Sequence, residues 1–323
     1  MKMSLDTAGN WIDLLTPPED YAFAPGVRYI KSWNFETFDA ELYLQNNGPG
    51  TIQRVMMTFP KKLSGKRPAV AVPFYFPEAM IGFEPDTLEV LPRYEKIAMA
   101  KDLAERGFIT ISADAYHLTF CPEDPAGRDE FSRWQTAGTA LKEKYPQWCG
   151  CGKLLADTRL LLDMLENDDR VDNGAIGIAG HSLGGKMAFY TGCLDERVKV
   201  ILASDFGIGW DQTNWRDIWY WGDQVDELIS RGMEHSQLLD LAGGKPFMLL
   251  AGLYDNAESL EIMQRAASYA SVPEHLQIIN HATGHRPPED VLLAGYAFLE
   301  KYLVKEKVRT TMNRSLQRSL GAV

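Results

Sequence analysis

Cysteine and histidine are scarce in this chain of 323 residues, with four of the first and six of the second. The four thiols, Cys121, Cys149, Cys151 and Cys193, are too few for a disulfide scaffold. Cys149-Gly150-Cys151 has no second pair and no nearby histidine cluster, so no metal is expected. Long apolar runs are missing too. No stretch approaches the ~18 uninterrupted apolar residues of a spanning helix, and residues 1–11 lack the apolar core of a secretory signal. The expectation is a cytoplasmic protein with no membrane partner. Positive charge is in deficit, 33 Lys and Arg against 44 Asp and Glu for a net charge of -11. Nucleic acid and anionic membranes select basic faces, so neither is an expected partner. A small neutral ligand is untouched by that argument.

What is present is ordinary globular material, 45% hydrophobic and 24% charged residues, enough for a large core. Short β-forming runs alternate with amphipathic stretches, which predicts a mostly parallel sheet covered by helices. Residues 41–45 and 53–59 form an antiparallel lead-in pair around the turn at 46–50. Residues 69–76, 108–113, 175–179, 198–203, 247–251 and 276–280 are the expected central strands. Helical spacing marks 94–106, 154–166, 182–194, 257–270 and 289–302. One domain over residues 1–323 is expected, with lead-in strands in 1–66, long insertions at 116–150 and 205–244, and a basic tail at 305–323. Connections that long are usually lids or pocket walls.

The chemistry concentrates at Gly180-His181-Ser182-Leu183-Gly184. This G-x-S-x-G sits between an apolar strand and a helix, the context a nucleophile elbow needs. The glycines clear the side chains that would collide there, and Gly185 thins the turn further. A serine hydroxyl needs a base and an orienting carboxylate, in the chain order serine, acid, histidine. Asp255, following the strand 247–251, is the expected acid; Asp205, at the end of the preceding strand, is its rival. His285 in Gly284-His285-Arg286-Pro287-Pro288 is the expected base, and His281 the alternative. His181 is expected to shape the elbow. His117, His235 and His275 read as structural.

Developing negative charge on an acyl substrate needs donors. The Leu183 N–H at a helix start is one; the other comes by position from Phe74 or Tyr75, in a loop without the H-G-G pattern of many lipases. Trp210, Trp215 and Trp219 suggest an aromatic wall to the substrate pocket, or packing of the insertion on the body.

Elbow, acid and closing histidine together resemble the α/β-hydrolase superfamily over residues 69–303, with a mostly parallel central sheet, flanking helices and a long Trp-rich insertion. Asp157-Thr158-Arg159, the stretch from Val171 to Gly185, and Leu194-Asp195-Glu196-Arg197 resemble the branch of dienelactone hydrolases, acetyl-xylan-esterase-like proteins and prolyl-oligopeptidase-like hydrolases. That resemblance implies a serine triad, no cofactor and a small-molecule ester substrate. Dienelactone hydrolases proper carry a cysteine nucleophile, where this chain has Ser182. Lys186 also resembles glucuronoyl esterases, although Leu183 replaces the arginine usual there. The expected function is carboxylic ester hydrolysis, the ester being that of an acylated carbohydrate in one version. The alternatives are peptidase-like or glucuronoyl-esterase-like hydrolysis, or a non-catalytic binding protein of the same fold. No heptad or apolar stripe specifies an oligomeric state.

Overall fold

A computed structural model describes residues 5–121 and 130–304. The expected basic tail at 305–323 lies outside the described residues. Nine strands form one sheet: Val27–Asn34 (β1), Phe38–Gly48 (β2), Thr51–Pro60 (β3), Arg67–Ala71 (β4), Ile109–Ala113 (β5), Val171–His181 (β6), Val198–Ser204 (β7), Phe247–Ala251 (β8) and Leu276–Asn280 (β9). Their order is β1-β2-β3-β5-β4-β6-β7-β8-β9. The first three pair antiparallel, β3 pairs antiparallel with β5, and every pair from β5 to β9 is parallel. Among the described residues the helices are Leu5–Leu15 (α1), Pro77–Ile81 (α2), Met99–Glu105 (α3), Tyr116–Phe120 (α4), Glu130–Lys144 (α5), Gly150–Glu166 (α6), Leu183–Leu194 (α7), Gln224–Ser230 (α8), Ser236–Leu241 (α9), Ala257–Tyr269 (α10) and Glu289–Leu303 (α11).

The central strands are buried on both faces, and their side chains feed two cores in alternation. On β4, Ala69 and Ala71 join one core while Val70 joins the other; on β7, Ile201 and Ala203 face one side and Val200 and Leu202 the other. The first core takes α6, α7 and the insertion. The second takes α2, α3 and α11. Parallel strands so covered carry their loops to one edge, where sites of such sheets gather.

Both expected insertions carry structure of their own. In the first, α4 and α5 are new helices, and Gly150 at the start of α6 meets the second insertion so closely that a Cβ would stand 2.0 Å from the Trp219 carbonyl oxygen. In the second, α8 and α9 follow an irregular stretch. β4 ends at Ala71, short of the expected 76, because Pro73 lacks a donor for the ladder.

Candidate active site

Ser182 stands between β6 and α7 with φ 56° and ψ -117°. A non-glycine residue there carries strain of about 1–3 kcal/mol, tolerated where the surroundings over-determine it. Its N–H donates to the Ser204 carbonyl at 2.8 Å and its carbonyl accepts from Lys186 N at 3.0 Å. The three elbow glycines answer to crowding. A Cβ on Gly180 would lie 2.1 Å from the Gly184 oxygen, on Gly184 2.2 Å from the Pro73 oxygen, and on Gly185 2.9 Å from Phe206 Cβ.

His285 lies in the loop between β9 and α11, after Gly284 at φ 113°. Its Nδ1 is 2.6 Å from Asp205 Oδ2. The ring packs 4.4 Å from the His181 ring and 4.8 Å from the Tyr254 ring, centroid to centroid. Asp205 is fully buried at the end of β7 and holds φ 40°. Its carboxylate also accepts the N–H groups of Gly252, Leu253, Tyr254 and Asp255, at 2.8–3.1 Å.

The expectation that Asp255 partners the histidine is therefore corrected in favour of its rival. Asp255 is buried, and its oxygens accept from Phe206, Gly207 and Ile208 N–H and from the Ser259 hydroxyl at 2.8–3.1 Å. Burial raises its pKa, while the hydrogen bonds from Ile208, Ser259 and Gly207 pull it down. The turn after β8 aims backbone donors at Asp205 and turns the Asp255 side chain toward the loop after β7.

The alternative base, His281, pairs its Nδ1 with Thr283 Oγ1 at 2.8 Å and does not line the cavity that holds Ser182. His181 is buried, with Nδ1 3.1 Å from Ser204 Oγ. Burial holds its pKa well below the usual value, which keeps the ring neutral beside His285.

Ser182, Asp205 and His285 share one cavity of about 650 Å³. Tyr75, Arg93, Phe131 and Tyr254 contribute to its wall, and the second insertion supplies Asp211, Gln212, Thr213, Asn214, Asp217 and Tyr220. The expected tryptophan wall is corrected here. Trp210, Trp215 and Trp219 are 8%, 0% and 7% exposed and none lines this cavity. The indole N–H of Trp210 donates to the Met233 carbonyl and that of Trp215 to the Gly207 carbonyl. Flat apolar rings that can find a partner for their one donor sit best inside, and the polar residues between them take the rim.

Of the expected donors, Leu183 N belongs to the first turn of α7, where N–H groups lack an acceptor within the helix. The Pro73 contact with Gly184 brings the loop after β4 against the elbow, and Tyr75 is pinned by its carbonyl accepting from Ala115 N at 3.0 Å. Tyr75 lines the cavity; the Phe74 side chain is buried in the second core.

Lys186, named above for its likeness to glucuronoyl esterases, stands one turn into α7 and lines the same cavity. Its Nζ donates to Thr213 Oγ1 at 2.7 Å and Asn214 Oδ1 at 3.3 Å, over the Trp215 ring at 3.8 Å and the Tyr220 ring at 4.4 Å. Burial pulls its pKa from 10.5 down to about 7. Among the described residues no group of three His, Cys, Asp or Glu could hold a metal ion, and no helix is long and apolar enough to cross a membrane.

Residues 89–206 match the model of the dienelactone hydrolase family. YtaP of Bacillus subtilis is 26% identical over 165 residues, a match spanning 47% of this chain and about half, 54%, of that relative. Among solved structures, BF1801 from Bacteroides fragilis superposes with a TM-score of 0.67 at 15% identity, covering 96% of this chain and 86% of that one. A glucuronoyl esterase from Solibacter usitatus gives 0.64 at 12% identity, covering 88% and 87%. Acetyl xylan esterase 1 from Thermoanaerobacterium gives 0.60 at 15%, covering 93% and 94%. Sheet order, elbow and superposition together show the α/β-hydrolase fold, within which residues 89–206 are similar to the dienelactone hydrolase family.

Proposed function

We propose that the chain is a serine hydrolase of carboxylic esters, with Ser182 as nucleophile, His285 as base and Asp205 as the acid that orients the imidazole. The observation that carries this reading is the Asp205–His285 hydrogen bond at 2.6 Å in the cavity that also holds the strained Ser182. With Nδ1 committed to Asp205, Nε2 is the nitrogen that takes the Ser182 proton as Oγ attacks the ester carbonyl carbon. The carbonyl electrons move to oxygen, where Leu183 N–H and an N–H of residues 74–75 receive the charge. Collapse breaks the bond to the alcohol, which leaves with the proton from His285. Water then attacks the acyl-enzyme, gives its proton to the same nitrogen and releases the acid.

Two of the structural neighbours are named as esterases of acetyl xylan and of glucuronoyl groups, which supports an ester over an amide. The rim, rich in carboxylate, amide and hydroxyl groups, suits a small polar ester such as an acylated carbohydrate. A fluorophosphonate probe should label the folded protein at Ser182 and leave Ser182→Ala unlabelled. On a panel of p-nitrophenyl esters, acetylated sugars, methyl uronates and aminoacyl amides, short acyl esters should turn over fastest. Turnover of the amides alone, or an unlabelled wild type, overturns the reading.

A further inference from the structure

Two buried aspartates follow neighbouring parallel strands, Asp205 directly after β7 and Asp255 four residues beyond β8, and each binds the loop of the other. Asp205 accepts four N–H groups from residues 252–255, behind β8. Asp255 accepts three N–H groups from residues 206–208, behind β7, and the Ser259 hydroxyl. The loop at 206–208 needs such a hold. It follows a non-glycine residue at φ 40° and contains Gly207 at φ 69°, so the chain turns through two left-handed positions within three residues.

The carbonyls of the same loop are fixed from the opposite side. Trp215 Nε1 donates to the Gly207 oxygen at 2.7 Å, and His235 Nδ1 lies 2.6 Å from the Ile208 oxygen. Facing a carbonyl, Nδ1 must carry the proton, which leaves Nε2 to accept from the Tyr190 hydroxyl at 2.6 Å. The Tyr190 oxygen in turn accepts from Trp221 Nε1 at 2.9 Å. Every N–H from 206 to 208 thus ends on one carboxylate, and the carbonyls of 207 and 208 end on a buried aromatic frame.

We propose that Asp255 is a positioning residue for the triad: by gathering the N–H groups of residues 206–208 it fixes the left-handed turn that points the Asp205 carboxylate at His285. The inference rests on the catalytic reading of Asp205 and His285. It assigns Asp255 no contact with substrate or imidazole. Loss of its charge leaves three aligned N–H groups short of an acceptor, and the turn relaxes toward ordinary backbone angles. Asp205 then moves relative to the ring, and a misplacement of about 1 Å costs roughly 100-fold in rate.

The test compares Asp205→Asn, Asp255→Asn and Ser259→Ala in the full chain, reading kcat and KM on a short acyl ester and the far-downfield proton resonance of the His285–Asp205 hydrogen bond. Asp205→Asn should abolish the resonance. If resonance and kcat survive that change, the catalytic reading fails, whatever Asp255 does. Given a responsive Asp205→Asn, Asp255→Asn should lower kcat about 100-fold, more than it raises KM, and shift or broaden the resonance in a folded sample. A purely structural Asp255 would lower the melting temperature and leave the resonance and kcat in place, and that result overturns the proposal. Should Asp255→Asn fail to fold, Ser259→Ala decides. Removing one of four donors should shift the resonance and cut kcat a few-fold, and an unchanged resonance with unchanged kcat overturns the proposal equally.

Discussion

The second insertion has two faces made of unlike material. Its inner face is a buried aromatic cluster in which Trp210 and Trp215 pack on Trp11, Tyr190, Trp221 and His235, with ring centroids 4.1–6.3 Å apart. Its outer face, a few residues away in sequence, presents Asp211, Gln212, Thr213, Asn214 and Asp217 to the cavity. The contrast separates two duties. Apolar rings anchor a long irregular segment that has few backbone ladders of its own, and polar side chains held in place by that anchor line the cavity. Lys186 joins the faces, since its ammonium rests on Trp215 and Tyr220 while donating to Thr213 and Asn214.

Breaking the aromatic face should give the largest change. Trp215→Ala removes a fully buried indole together with its bond to the Gly207 carbonyl, and should lower unfolding free energy by about 3–5 kcal/mol in denaturant titrations. A loss below ~1 kcal/mol would mean that the insertion does not depend on the cluster. Removing the residue that joins the faces should appear in the pH dependence of stability. With the folded pKa of Lys186 near 7 and the unfolded value near 10.5, the unfolded chain binds more protons between those values. Stability from this residue therefore rises with pH from about 7 to 10.5, and below 7 the burial penalty is present in full. Relative to Lys186→Met, the wild type should gain on the order of a few kcal/mol across that window. Parallel curves for the two proteins would remove the lysine from the account. The smallest change should come from the polar face: Thr213→Ala deletes the contact with Lys186 and a long one to the Phe206 carbonyl, so stability should fall by no more than about 1 kcal/mol while KM rises a few-fold. A stability loss like that of Trp215→Ala would erase the distinction between the faces.

The parts legible in the sequence are those decided locally. β8 and β9 coincide with the expected 247–251 and 276–280: β8 is a fully buried, continuous apolar run, and β9, half-buried at the edge of the sheet, still carries Leu276, Ile278 and Ile279. The elbow shows because strand, tight turn and helix are consecutive, and its glycines answer to contacts within a few residues or with the adjacent loop. β1 escaped, since Val27–Asn34 is an exposed edge strand with Arg28, Lys31 and Ser32 and little apolar alternation. The choice between Asp205 and Asp255 could not be made locally. Both follow strands at the same edge of the sheet, and the direction of each carboxylate depends on hydrogen bonds to a segment about 50 residues away. The tryptophans failed for a related reason: an aromatic in a long connection can line a hollow or fill one, and only tertiary packing tells which.

The pairing of β6 with β7 also bears on the breadth of the proposed triad. Ser182 N–H is bonded to the Ser204 carbonyl, so the proposed nucleophile and acid grow from laterally adjacent strands, one ladder step of about 4.8 Å apart. Here the lattice of the sheet itself serves as the ruler, and the closing loop has only to lay one ring across it.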